Sequence, residues 1–274
     1  MQRTATKYML NGNTELYDDS TFKTYVTKVR HFSEKLFEFE VSRPSSFRFR
    51  SGEFVMIGIV DTSGAPILRP YSIASPYWAD TLSFLSIVAD GGVLTPKLRE
   101  LQNGQCVLLK RKAVGTLVLD AVLPSERLYL IATGTGVAPF ASLVRDPEIY
   151  EKDQEVFLIH TCRNSVDLEF SKNLIHQAKS DILLDGAAIE KLKYYPTTTR
   201  ENSPKVGRAT NLIKNQSLFD DLGTPYFNPE HDSVMVCGSL NFNHEIKDIL
   251  LNAGFSEGSN ASPGHFVTEK AFVG

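Results

Sequence analysis

The chain has 274 residues, 42% of them hydrophobic and 22% charged, with a net charge of −3, which excludes disordered, collagen-like and coiled-coil chains. No stretch approaches the ~18 uninterrupted apolar residues of a membrane span, and the opening MQRTATKYMLNGNTELYDD has no apolar core of secretory-leader length. Three cysteines, Cys106, Cys162 and Cys237, form no C-x-x-C pair, which argues against a disulfide framework, a zinc site or an iron–sulfur cluster. The expectation is a cytoplasmic protein without a metal.

The first ~110 residues read as short strands separated by turn residues. TYVTKVRHF (Thr24 to Phe32) is followed by KLFEFEVS (Lys35 to Ser42), where Phe37 and Phe39 alternate with Glu38 and Glu40, the period of a half-buried strand. EFVMIGIV, RPYSIAS, TLSFLSIV and QCVLLKR continue the pattern, and six such strands with one short helix predict a small antiparallel barrel. In RPYSIAS, alternation places Arg69, Tyr71, Ile73 and Ser75 on one side, with Ser72 opposite unless the strand bends. The Arg offers a cation for a phosphate, and the Tyr a flat ring for an aromatic ligand. In ADGGVLTPKLRELQNG, Thr95-Pro96 predicts a hydroxyl-capped helix start, with Leu98 and Leu101 inward and Gly104 at the C-terminal cap. Gly91-Gly92 ahead of it would let a phosphate approach the backbone.

Beyond a boundary near Lys112 to Thr116 the pattern changes. The apolar runs LYLIA, VFLIH, KLKYY and SVMVCG alternate with helical segments PFASLVRDPEIY, LEFSKNLIHQAKS and FNHEIKDILLNAG. That alternation predicts a parallel sheet covered on both faces. The predicted architecture is therefore a two-domain β + α/β chain, a barrel over 1–112 and an α/β domain over 113–274. Residues 1–112 carry 15 basic and 11 acidic side chains, against 14 and 21 in the remainder. A mildly basic first half, with Arg48, Arg50 and Arg111, suits an acidic partner, although ordinary unevenness of surface charge explains it equally well. A pI of about 6.1 without a dense Lys/Arg run speaks against nucleic acid.

LYLIA runs into TGTGVAPF (Thr133 to Phe140), the order strand, glycine turn, helix that receives dinucleotide phosphates. The in-frame motif is G-x-G-x-x-P, and no acidic residue stands where a ribose ligand is expected. Ligands of open parallel sheets bind at the carboxyl ends of the strands. Those ends carry Thr135 and Gly136, Arg163, Thr199-Arg200, and Cys237-Gly238. Arg200, with Arg208 in VGRAT, gives two cations without an opposing carboxylate, which favours a 2′-phosphate and so NADP over NAD. The alternative pairs them with Glu201 and Asp220. The terminal HFVTE predicts a last strand with the aromatic tail AFVG at its carboxyl end. Glu269 there reads as a solvated carboxylate, and Cys237 as a packing residue without an activating His or Asp.

RPYSIAS, GGVLTPKL, GTGVAPFASL, YYPTTTRE, VGRAT, VMVCGSLNF and VTEKAFVG resemble, in order, the bacterial ferredoxin (flavodoxin)–NADP+ reductases. The resemblance implies FAD in the barrel and NADP(H) in the α/β domain. Within Arg69-Pro70-Tyr71-Ser72 it places Arg69 on the FAD pyrophosphate, Tyr71 on the isoalloxazine and Ser72 at flavin N5. Val93, Leu94 and Thr95 would contact the pyrophosphate, and Arg200 and Arg208 the 2′-phosphate. Thr135, Gly136, Cys237 and Gly238 would flank the nicotinamide and pyrophosphate. Ala271 would cover the flavin, and Phe272 would stack near the adenine. The loop reads GGVLT where many relatives carry G-P-L-T, and Ala271 stands where plant-type relatives have a terminal Tyr. The implied enzyme is a monomer passing electrons between NADPH and an acidic ferredoxin or flavodoxin. An oxygenase reductase component, a free-flavin reductase and a flavin redox sensor are the alternatives.

Overall fold

The computed structural model describes residues 15–151, 154–184 and 186–271. Seven antiparallel strands form the first layer: β1 Leu16–Asp18, β2 Thr21–His31, β3 Leu36–Ser42, β4 Phe54–Val60, β5 Pro66–Ser72, β6 Thr81–Ile87 and β7 Cys106–Lys110, with helix α1 Thr95–Arg99 before β7. They pair in the order β5-β4-β7-β2-β3-β6, with β1 on β2. Beyond β5 the Ala74 amide donates to the Ser83 carbonyl at 2.8 Å, which joins the two ends of this path into a barrel. In β3 the phenylalanines are buried and the glutamates lie nearer the surface. Phe22, Phe37, Phe39, Phe47 and Phe84 fill the interior, and rings of this size dominate the energetics of so small a core.

The second layer is all parallel, with β8 Arg127–Thr133, β9 Glu155–Cys162, β10 Leu192–Thr198, β11 Asp232–Gly238 and β12 Phe266–Lys270. Its helices are α2 Ala138–Leu143, α3 Glu148–Glu151, α4 Glu169–Ser180, α5 Ala187–Lys191, α6 Ala209–Lys214, α7 Ser217–Leu222 and α8 Leu240–Asn252. The order β10-β9-β8-β11-β12 reverses direction between β8 and β11, and that switch point is where open α/β sheets bind ligands. One sheet face, with Leu130, Leu158 and Met235, packs on α2, α4 and barrel residues such as Leu36 and Ala74. The other, with Ile131, Ile159 and Val236, packs on Ile213, Phe219 and Ile246 of α6, α7 and α8.

Several expectations need correction. The segment PFASLVRDPEIY forms two short helices, because Pro147 disfavours helical backbone at Asp146 before it. Thr95 does not cap α1: Leu94 occupies that position, and the Thr95 hydroxyl accepts the Ala89 amide at 3.0 Å. Gly104 is no helix cap either. The helix ends at Arg99, and Gly104 (φ +87°) turns the chain into β7, its amide donating to the Val26 carbonyl.

The layers are joined closely. Phe32 meets Phe170 edge-on at 5.8 Å between centroids, the Arg145 guanidinium donates to the Ala74 carbonyl, and the Asn260 side-chain amide donates to the Gly115 carbonyl at 2.8 Å. Gly52 has φ +94°, and a Cβ there would run into the Leu117 carbonyl oxygen.

Candidate functional site

The crevice lies at the carboxyl ends of the parallel strands. β8 ends in the turn Gly134-Thr135-Gly136, which crosses the switch point against Cys237-Gly238 at the end of β11. A Cβ on Gly136 would collide with the Cys237 carbonyl oxygen, and one on Gly238 would lie 2.5 Å from Thr133 Oγ1. Only glycine permits these two backbones to approach so closely. Gly134 takes φ +54° and faces open space. Ser239 then caps α8, its hydroxyl accepting the Phe242 amide.

The barrel brings its own strand ends to the same place. β5 ends at Ser72, and the Ile73 amide carries the same register with β4 one rung further by donating to the Glu53 carbonyl at 3.0 Å. Ser72 pairs with Phe54, Phe54 forms a two-way bridge with Val114, and Gly115 packs against Glu53 and the Glu269 carboxylate. Tyr71-Ser72 and Glu269-Ala271, distant in sequence, thereby share one neighbourhood. Ala271 is fixed there by its amide, which donates to the Gly238 carbonyl at 2.8 Å. Phe272 lies outside the described residues.

Tyr71 is 6% exposed, with its hydroxyl 3.0 Å from Ser86 Oγ and its ring edge-on to Phe39 and Phe84; burial raises its phenol. Arg69 is exposed, donates only to its neighbour's carbonyl at 2.9 Å, and forms no ion pair among the described residues. Pro70 pairs with Met56 on the same strand. Along the loop into α1, Val93 is 57% exposed whereas Leu94 and Thr95 are buried. A flat ligand would find an exposed cation at Arg69 and open space at Gly91, whereas Gly92 is closed in by Thr95 and Ala89.

Glu269 overturns the expectation of a solvated carboxylate. It is half-buried, Oε2 accepts the Thr116 amide at 3.0 Å and its hydroxyl at 3.4 Å, and the enclosed Oε1 has no partner among the described residues. Desolvation pushes its pKa up to about 7, more than the Thr116 hydrogen bonds lower it. Across the ladder sits Cys237, 1% exposed, whose thiol burial raises well above the ordinary range, with Glu269 adding to the rise. A thiol so held stays protonated and is no nucleophile.

The far end of the crevice is cationic. The chain after β10 folds back so that Thr198 bridges Val206 in parallel register. Arg200 and Arg208 each stand two residues beyond that bridge. Both are exposed, as is Arg163, whose carbonyl accepts the Arg200 amide at 3.0 Å. None of the three forms an ion pair among the described residues. Glu201 is occupied instead by the Ser165 amide and hydroxyl at 2.7 and 2.8 Å, so the alternative pairing with Glu201 is not formed. Thr199 is tied to the Cys162 carbonyl through its amide at 3.0 Å.

Sequence reading missed the polar groups beneath the turn. His160, on β9, is fully enclosed between Gly134 and Ser171, and the only signal was a lone imidazole in an apolar strand. Thr116, an unremarked hinge residue, and Asn243, whose side-chain amide donates to the Glu269 carbonyl at 2.8 Å, carried no signal at all.

The family model of the oxidoreductase NAD-binding domain matches residues 130–248. The chain is 51% identical over 249 residues to a flavodoxin/ferredoxin–NADP reductase of Rhodobacter capsulatus, covering 91% of this chain and 92% of that protein. A ferredoxin–NADP reductase of Azotobacter vinelandii is 41% identical over 249 residues, covering 90% and 96% respectively. Among solved structures, a ferredoxin NADP+ reductase from Neisseria gonorrhoeae with bound FAD and NADP is similar with a TM-score of 0.84 at 29% identity, over 93% of this chain and 100% of that one.

Proposed function

This chain belongs to the bacterial ferredoxin (flavodoxin)–NADP+ reductases, and on that premise we propose that it binds FAD against residues 1–112 and NADP(H) against residues 113–274. It then exchanges electrons between NADPH and an acidic ferredoxin or flavodoxin, as a monomer of the cytoplasm. The chemistry that the bound flavin supplies is acceptance of a hydride at N5 and release of the electrons one at a time.

The residues fit both groups. Arg69 would neutralise the FAD pyrophosphate, with the Val93-Leu94-Thr95 backbone beside it, while the Thr95 hydroxyl is turned inward to the Ala89 amide. Tyr71 would back the ring system, and the Ser72 hydroxyl would hydrogen-bond N5. Ala271 would close the opposite face, with Phe272 near the adenine. Thr135, Gly136, Cys237 and Gly238 would hold the nicotinamide and pyrophosphate, while Arg163, Thr199, Arg200 and Arg208 would hold the 2′-phosphoadenosine end. Glu269 keeps its proton below about pH 7, with one enclosed carboxylate oxygen that has no hydrogen-bond partner among the described residues. The role of the protein is alignment and exclusion of water, not acid–base chemistry at a dyad.

The observation that carries this reading is the pair of exposed guanidinium groups, Arg200 and Arg208, which form no ion pair among the described residues and stand at equal register beyond one bridge. Anaerobic stopped-flow bleaching of the yellow protein is the test. NADPH should reduce it at least ~100-fold more efficiently than NADH, as two charge-assisted contacts of about 1.5–3 kcal/mol each require. Equal efficiency with both coenzymes would remove the 2′-phosphate assignment.

A further inference from the structure

Beneath the glycine turn lies a buried relay that the proposed reaction does not use directly. His160 is 1% exposed, pairs in register with Ala132 of β8 and Pro196 of β10, and reaches up to the turn. Its Nε2 lies 2.8 Å from the Gly134 carbonyl and its Nδ1 2.8 Å from Ser171 Oγ. Ser171 Oγ is in turn 2.6 Å from the Tyr194 hydroxyl.

The proton positions follow from the chemistry of the partners. A carbonyl only accepts, so Nε2 carries the hydrogen and Nδ1 must accept. The Ser171 hydroxyl supplies that hydrogen, and its oxygen then accepts from Tyr194. The Leu168 carbonyl, 3.0 Å from the same hydroxyl, competes for the Ser171 proton. Yielding to it would leave Nδ1 buried without a donor, a costly arrangement. Cys162 Sγ also lies 3.3 Å from Nε2, but its thiol is held protonated, pushed up to about 12 by burial, and faces the Asp167 carbonyl at 3.6 Å. The relay runs one way, from Tyr194 through Ser171 and His160 to Gly134.

Its consequence is at the crevice. The Gly134 carbonyl and the Thr135 amide belong to one planar trans peptide and point to opposite sides. Gly134, at φ +54°, opens the 3-10 turn Gly134–Val137, and the imidazole adds a side-chain hold on its carbonyl. Held so, the carbonyl faces the sheet, which directs the Thr135 N–H the opposite way. We infer that His160, oriented by Ser171 and Tyr194, is a positioning residue that locks the 134–135 peptide so that its amide serves the pyrophosphate–nicotinamide half of the coenzyme. The inference rests on the reading of the crevice as the NADP(H) site.

The test separates the two halves of the ligand. Binding of NADP+ and of 2′-phospho-AMP is measured by titration on FAD-loaded protein, together with steady-state ferricyanide reduction. His160→Leu should weaken NADP+ and raise the KM for NADPH about tenfold, the size of one lost buried hydrogen bond. The same variant should bind 2′-phospho-AMP within about twofold of wild type and lose far less in kcat than in KM, since the Arg end is untouched. His160→Gln, whose amide nitrogen reaches the position of Nε2, should restore binding. His160→Asn, which reaches only that of Nδ1, should not. Ser171→Ala supplies an independent variant should His160→Leu fail to fold, with an expected weakening of roughly threefold from a freed tautomer. Equal weakening of both ligands, or Gln and Asn variants alike, would overturn the lock. Wild type that binds neither FAD nor NADP+ would instead bring down the functional reading beneath it.

Discussion

The two ends of the crevice are built from opposite materials. At the end where β11 and β12 meet the barrel, Cys237 and Glu269 are packed away from water and both are driven toward their neutral forms. At the end beyond β9 and β10, Arg163, Arg200 and Arg208 stand exposed and form no ion pair among the described residues. The contrast separates two tasks. A transferring hydride needs rings aligned in a dry, uncharged surround, whereas choosing between two coenzymes that differ by one phosphate needs charge. On the proposed reading, placing the cations far from the reacting atoms would let them discriminate without disturbing the electrostatics of the reaction. The relay under Gly134 lies between the two, neutral itself, since desolvation lowers the His160 pKa to about 4.

The largest expected effect breaks the cationic end. Replacing Arg200 and Arg208 together by Ala should cut kcat/KM for NADPH by about a thousandfold, given roughly 2 kcal/mol per charge-assisted contact. The value for NADH should be unchanged. A comparable loss with NADH would mean that these arginines support the fold and not the phosphate.

Next in size is the neutral end. Glu269 titrates near 7 in the folded chain and near 4.3 when unfolded. The folded state is therefore favoured at low pH, and that advantage is lost as pH rises from about 4.5 through 7, by at most ~4 kcal/mol. Glu269→Gln cannot ionise and its carbonyl can still accept the Thr116 amide. Its urea midpoint should match wild type at pH 4.5 and exceed it at pH 8. An offset that is constant across that range would show that ionisation of Glu269 contributes nothing to the pH dependence.

Much of this contrast was legible before the structure. Phe-Glu-Phe-Glu alternation announced the barrel, and the strand–glycine–helix order of LYLIATGTGVAP announced the parallel sheet, because both patterns are local. The cations were legible for the same reason: TTTRE and VGRAT follow apolar strands directly. The neutral end was not. Burial of Glu269 depends on Thr116 and on Phe54, Gly115 and Glu53 closing around it, contacts that link residues more than 150 positions apart. Thr95 misled in a different way. Thr-Pro signals a cap, but the Ala89 amide claimed the hydroxyl first. The short helices α6 and α7 have too few turns to show a period.

The smallest effect concerns the outer surface of the basic half, where the comparison extends to the protein partner. Arg50 is unsuited to docking, because its guanidinium already lies 3.3 Å from both Glu53 and Asp120. Arg48 and Arg111 are exposed, donate to backbone carbonyls, with Arg111 also over the Phe22 ring, and form no ion pair among the described residues. Arg111 is three residues from Val114, which bridges to the strand end beside Ser72. Changing Arg48 or Arg111 to Glu should raise the KM for an acidic ferredoxin or flavodoxin roughly threefold to tenfold at low salt. The dependence of that KM on ionic strength should flatten, because fewer attractive charges remain to be screened. Ferricyanide reduction, which needs no docking, should be unaffected. A KM that stays at the wild-type value at low salt would leave the uneven charge of the two halves as surface variation and would move the docking face elsewhere on the molecule.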